Sequence, residues 1–105
     1  LNLLKDFLIK NGLPPSKFSI FDYDKEALPN KKFDLIISLF SLDYHYDFNI
    51  YLDYLHKNSH KSTKIIFDTI RADYFKTIFK EVHILSSRTN TVHKSKRLVC
   101  SNFII

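Results

Sequence analysis

FDLIISL, from Phe33 to Leu39, is the stretch on which the fold turns. Apart from Asp34 it is apolar and rich in branched side chains. It lacks the alternation of a half-exposed strand, so it reads as a strand buried on both faces, the kind found inside parallel sheets. Before it, Leu1, Leu3, Leu4, Phe7 and Leu8 recur at helical spacing, and Asn11-Gly12 followed by Pro14-Pro15 ends the run, predicting a helix over residues 1–10. Lys17 to Phe21 is a second short apolar run and predicts a buried strand. After FDLIISL, Phe48, Tyr51, Leu52, Tyr54 and Leu55 predict a helix from Asp47 to about Lys57. Lys64 to Asp68 (KIIFD) predicts a strand, and Ala72, Phe75, Ile78 and Phe79 a helix from about Arg71 to Lys80. Val82 to Ser86 and Arg97 to about Ile104 predict two strands joined by a polar loop, Ser87 to Lys96, and paired as an antiparallel hairpin.

That order, with strands and helices alternating before a final hairpin, predicts an α/β fold: an open, mostly parallel sheet flanked by helices with a C-terminal antiparallel hairpin. A chain of 105 residues is long enough for one domain with its own core, so residues 1–105 read as a single domain. Gly12 is the only glycine, which rules out a Walker loop or a GxGxxG fingerprint. The single cysteine, Cys100, excludes an internal disulfide framework and a thiolate-rich zinc site, and fits a reducing, cytoplasmic setting. Cys100 itself lies among Leu98, Val99 and Phe103, where a buried, unreactive side chain is expected. No apolar run approaches the ~18 residues of a membrane span, so no membrane partner is expected. The chain opens at Leu1 rather than at a methionine and reads as a fragment.

Charge is uneven. Residues 1–60 carry 7 Lys and Arg against 8 Asp and Glu, whereas residues 61–105 carry 9 against 3, so the net charge of +5 is C-terminal. Arg88, Lys94, Lys96 and Arg97 gather with His83 and His93 around the hairpin loop. A solvated, solubilising hairpin tip is the plainer account of that cluster, and a phosphate or nucleic-acid contact the sharper one.

Three stretches carry a family resemblance: FDYDKEALPNKKFDLIIS from Phe21 to Ser38, SLFSLDYHYDFNIYLDYL from Ser38 to Leu55, and KIIFDTI from Lys64 to Ile70. In content and order they resemble the latter two thirds of a Rossmann-like S-adenosylmethionine-dependent methyltransferase, closest to the sugar O-methyltransferases. The resemblance implies that the chain is the C-terminal part of such a domain, lacking its first two strands and the Gly-rich turn that holds most of the cofactor. It implies an incomplete Rossmann-like fold, transfer of a methyl group to a hydroxyl of a sugar or other small molecule, and weak or no S-adenosylmethionine binding by these residues alone. It also implies a cofactor contact at Asp22 or Asp24, with spacing to Leu28-Pro29 favouring Asp24, and further contacts at Ser38, Ser41 and Phe40.

Methyl transfer asks the protein to align acceptor and methyl and, for a hydroxyl acceptor, to receive a proton. His45 stands six residues past Leu39 on a loop expected to face the ligand crevice, and imidazole is the side chain that titrates nearest neutrality. It is the catalytic candidate. The alternative is a loop histidine packed between Tyr44 and Tyr46. Asp43 is expected to orient His45 or bind acceptor hydroxyls, with Asp68 as a second carboxylate of that kind. Tyr44 and Tyr46, with the Phe40 ring, offer flat surfaces for the acceptor, or belong to the core. His56 and His60 share the i, i+4 spacing of metal-binding helices, but Lys57, Asn58 and Ser59 look like a helix ending and no third ligand lies nearby, so no metal site is expected.

Two other classes compete. A basic α/β module that binds RNA or an anionic glycan without catalysis would use the hairpin loop, although nucleic acid is not the expected partner. A phosphoacceptor receiver domain needs an aspartate at the carboxyl end of FDLII, where this chain has Ser38 and Ser41.

Overall fold

The first helix ends where Asn11-Gly12 predicts. Gly12 takes φ +95, a left-handed conformation that costs glycine little. Its N–H donates to Ile9 O at 3.1 Å while Leu13 N–H reaches Leu8 O at 3.0 Å, the paired bonds of a Schellman closure. Helix α1 is Asn2–Lys10. The computed structural model describes residues 2–21, 26–88 and 94–104. It divides into two compact units, Leu1–Asn30 and Lys31–Ile105.

The first unit holds α1 and a 3₁₀ turn at Pro15–Lys17. The strand expected over Lys17 to Phe21 is not there. Phe18 is extended, φ −145 and ψ 160, but residues 18–21 join no sheet among the described residues. Pro14 and Pro15 fix the backbone for a turn, with Lys17 N–H on Pro14 O at 2.9 Å, and that turn takes the first residue of the expected strand.

The second unit contains β1 (Phe33–Ser38), α2 (Phe48–Lys57), β2 (Ser59–Thr69), a 3₁₀ helix (Ala72–Thr77), β3 (Phe79–Arg88) and β4 (Ser95–Phe103). The sheet order is β1-β2-β4-β3. Only β1 and β2 pair in parallel, while β4 lies antiparallel to both β2 and β3. The mostly parallel, Rossmann-like sheet flanked by helices is therefore corrected to a mixed four-stranded sheet.

One face of that sheet makes the core. Ile65 and Phe67 of β2 and Leu98 and Cys100 of β4 are buried with Phe48 and Leu55 of α2 and Phe75 of the 3₁₀ helix. The Phe48 ring lies 5.1 Å from Phe67, 4.9 Å from Phe75 and 5.9 Å from Phe79. Residues of opposite parity emerge on the other face, where Leu35 is 52% and Ile37 55% exposed. FDLIISL is thus half-exposed. Its unbroken apolar run predicts burial on both sides, but run composition does not count how many layers cover a strand.

The expected helix from Arg71 to Lys80 is shorter and tighter. A 3₁₀ helix carries Phe75 into the core, Ile78 N–H closes on Phe75 O at 3.1 Å, and β3 begins at Phe79. Helix α2 ends at Lys57, where the sequence predicts. Asn58 closes it: its side chain donates to Tyr54 O and accepts from Lys31 N–H, each at 2.8 Å, while its own carbonyl takes Phe33 N–H at 2.9 Å. That buried amide couples the end of α2 to the start of β1, and β2 follows at once. Thr63 Oγ1 bridges the wide irregularity between Phe33 and Leu35 in the parallel pairing, donating to Phe33 O and accepting from His60 N–H.

Candidate functional site

The carboxyl ends of the parallel pair β1 and β2 point the same way, and residues 39–47 and 70–71 leave the sheet there. In open α/β sheets such strand ends are where ligands are received. The turn after β1 is wound tightly around one carbonyl. Ser41 O accepts the N–H groups of Tyr44, His45 and Tyr46 at 3.0, 2.8 and 3.0 Å, and Asp43 N–H donates to Tyr46 O at 2.6 Å. Two residues in it are left-handed without being glycine, Phe40 at φ 53 and Asp43 at φ 60. Such conformations cost of order ~1–2 kcal/mol each and persist only where other contacts impose them.

Those contacts come from two carboxylates. Asp68, with its side chain 3% exposed, accepts Phe40 N–H on Oδ2 at 2.7 Å and Arg97 Nε on Oδ1 at 2.9 Å. Asp43, also 3% exposed, accepts Thr69 Oγ1 on Oδ2 at 2.6 Å, Phe48 N–H on Oδ1 at 3.2 Å and the Arg71 guanidinium on both oxygens. Each arginine is held above its ordinary value first by its hydrogen bond to aspartate, Arg71 by Asp43 and Arg97 by Asp68. Arg71 also reaches Asp47, which caps α2 by accepting Asn49 N–H at 2.9 Å, and lies 4.3 Å over the Tyr74 ring.

The expected site residues fare differently. His45 is exposed at the tip of the turn, its ring 4.9 Å edge-on from Tyr44. Tyr46 is exposed, Tyr44 half-buried, and the exposed Phe40 ring stands between Tyr44 at 5.5 Å and the Arg97 guanidinium at 5.1 Å. Phe40, Tyr44, His45 and Tyr46 therefore belong to one turn at one end of the sheet. Asp43 and Asp68 are spent on backbone, hydroxyl and guanidinium partners, and Asp43 makes no contact with the His45 ring among the described residues. Ser38 Oγ accepts Leu42 N–H at 3.1 Å and so braces the same turn. Asp22 and Asp24 lie outside the described residues.

Comparison with known protein families, curated proteins and solved structures returns no match.

Away from this end, His56 closes α2 while His60 belongs to β2 and holds Asp34 Oδ1 at 2.7 Å, so the helical i, i+4 arrangement does not form. Among the described residues no group of three metal-ligating side chains converges. The Cys100 thiol is buried, and desolvation pushes it up to about 12. Sequence reasoning missed Arg71, Arg97 and Thr69. The available signal was position, because DTIR, Asp68 to Arg71, places four residues, three of them polar, at the close of an apolar strand, and Arg97 opens another.

Proposed function

We propose that this chain is the acceptor-facing part of an S-adenosylmethionine-dependent methyltransferase that methylates a hydroxyl of a sugar or other small molecule. The observation that carries the reading is the Ser41-centred turn. It presents an exposed imidazole beside exposed and half-buried rings at the carboxyl end of a parallel strand pair, and two buried carboxylates hold it. The resemblance of Phe21 to Leu55 supplies the reaction class.

In this reading His45 receives the hydroxyl proton as the acceptor oxygen attacks. Tyr44 and Tyr46 lie against the acceptor, and Asp43 is a positioning residue that sets the turn. The described residues fit the cofactor in part: Ser38 still has its O–H to donate, and the Phe40 ring offers an exposed flat face. Those two side chains would hold it on this side, and when bound it supplies an activated methyl group on sulfur. The lone buried cysteine accords with a cytoplasmic setting. Among the described residues no helix is long and apolar enough to cross a membrane.

A second reading has its own observation. A cavity of about 230 Å³ beside the site is lined by Arg71, Tyr74, Lys94 and Lys96 against a single carboxylate, Asp73, and that basic excess supports a module that binds RNA or an anionic glycan. Amide NMR spectra of the 105-residue chain with S-adenosylhomocysteine at millimolar concentration separate the two. Weak, saturable shifts at Phe40, Ser41 and His45 are expected. Silence there, with shifts at Lys94 and Lys96 on adding single-stranded RNA, overturns the methyltransferase reading.

A further inference from the structure

The opposite end of the sheet, where β2 begins and β4 ends, holds a cavity of about 500 Å³ that no step above uses. Lys32, Lys61 and Lys80 line it, and none of the three has a carboxylate within ion-pair distance among the described residues. Among the described residues no aspartate or glutamate stands in the wall of this cavity. His60, also in the wall, engages Asp34 at 2.7 Å. Lys32 is fixed in place: its ammonium donates to Lys57 O at 3.2 Å and Ser59 O at 3.3 Å, covering the negative end of α2 and leaving one donor. Ser59 is in the wall as well, and its hydroxyl is buried without a partner among the described residues.

A smaller cavity of about 210 Å³ shares His56 and Phe103 with this one and is otherwise lined by Leu52, Ile78 and the neighbouring Asp53 and Thr77. The His56 and Phe103 rings meet edge to face at 5.0 Å, so the shared wall is flat and aromatic. A cationic compartment therefore adjoins a mainly apolar one across two rings.

We propose that the lysine-lined cavity binds a phosphomonoester of a ring-bearing small molecule, its phosphate among Lys32, Lys61 and Lys80 and its ring against His56 and Phe103, which the two adjacent cavities share. Lysines serve phosphate as point charges, and three uncompensated ammonium groups around one space favour a dianion over a neutral ligand. The cationic lining is confined to this one cavity at the end of the sheet, which suits a small molecule better than a polymer, which needs an extended track. The site is independent of the turn at His45, so failure of either reading leaves the other standing.

The test is titration of the 105-residue chain with adenosine 5′-monophosphate, adenosine and inorganic phosphate, followed by amide NMR and calorimetry. Adenosine 5′-monophosphate is expected to shift the amides of Lys32, Lys61, Lys80 and Phe103 and to bind at least ~10-fold more tightly than adenosine, a gap that narrows with salt. Lys61→Gln with Lys80→Gln, both exposed positions, is expected to remove most of that gap without moving the unfolding midpoint, whereas Lys76→Gln leaves it intact. Equal affinity for adenosine and its phosphate overturns the proposal. So does phosphate-dependent binding that the double variant leaves unchanged, or preferential binding of single-stranded RNA at these amides.

Discussion

Arg97 and Phe40, far apart in the chain, are joined through a single carboxylate: one oxygen of Asp68 takes Arg97 Nε at 2.9 Å and the other takes the Phe40 amide at 2.7 Å. The start of β4 thereby holds the first left-handed residue of the turn after β1. Arg97→Lys keeps the charge and loses the fork that satisfies both oxygens, so a loss of about 1 kcal/mol is expected. Hydrogen exchange at the Phe40 amide, faster in the variant than in the parent, checks that the turn loosens along with the global change. An unchanged exchange rate would separate Arg97 from the turn.

Asp43→Asn is the sharper lesion, because an amide cannot accept from Thr69, Phe48 and Arg71 together and leaves the guanidinium with only the more exposed Asp47 as counter-charge. Arg71 is more than a third exposed, which lowers the cost below that of a fully buried pair, to about 1–3 kcal/mol. Urea unfolding of the two proteins at neutral pH measures it.

Phe48→Ala removes the ring around which Phe67, Phe75 and Phe79 are arranged. The site is fully buried, with helix, 3₁₀ helix and sheet all bordering it, so collapse is limited and a loss of about 3–5 kcal/mol is expected. An unfolding midpoint shifted by less than a third of that would mean that the rings repack.

His45→Ala tests function against structure. The imidazole is exposed and meets the Tyr44 ring edge-on, so stability should stay within about 0.5 kcal/mol of the parent. Methyl transfer to a hydroxyl acceptor by the enzyme that contains this chain should fall ~10²- to 10⁴-fold. A variant that keeps its rate removes His45 from the chemistry.

Cys100 gives the chain an alkaline liability. An unfolded thiol ionises near 9.0, and burial holds the folded one protonated to about 12. The stabilising contribution is therefore complete below the lower value and is lost progressively as pH rises toward the higher. Tyr54, raised by desolvation, adds the same sign at higher pH. Unfolding midpoints between about pH 8 and about pH 11 should decline more steeply in the parent than in Cys100→Ala.

Much of the chain was readable because its signals are local. Asn11-Gly12 with Pro14-Pro15 placed the end of α1, Asp47 the start of α2, and the runs around Ile36, Phe67, Val82 and Val99 gave strands, since burial periodicity and capping act within a few residues. The arrangement of those strands was not readable in the same way. Nothing in the residues of β4 records that it lies between β2 and β3, because pairing order depends on which edges meet after collapse. Ile37 shows the second limit, since an isoleucine facing solvent is written like one facing the core. At the site, gathering the aromatic turn needed only its sequence. The partners of Asp43 come from Thr69 and Arg71, more than twenty residues away, and a carboxylate intended for catalysis cannot be told on paper from one that braces a loop.

The insertion of β4 governs the order in which the molecule can assemble. Until β4 arrives, β2 and β3 share no ladder: Ile65 and Val82 lack their common neighbour Cys100, and Phe67 and Ile84 lack theirs, Leu98. A growing polypeptide would hold two unzipped edges open through the synthesis of β3 and the loop beyond it. In that interval the nascent sheet exposes the apolar surface and strand edges that β4 later covers.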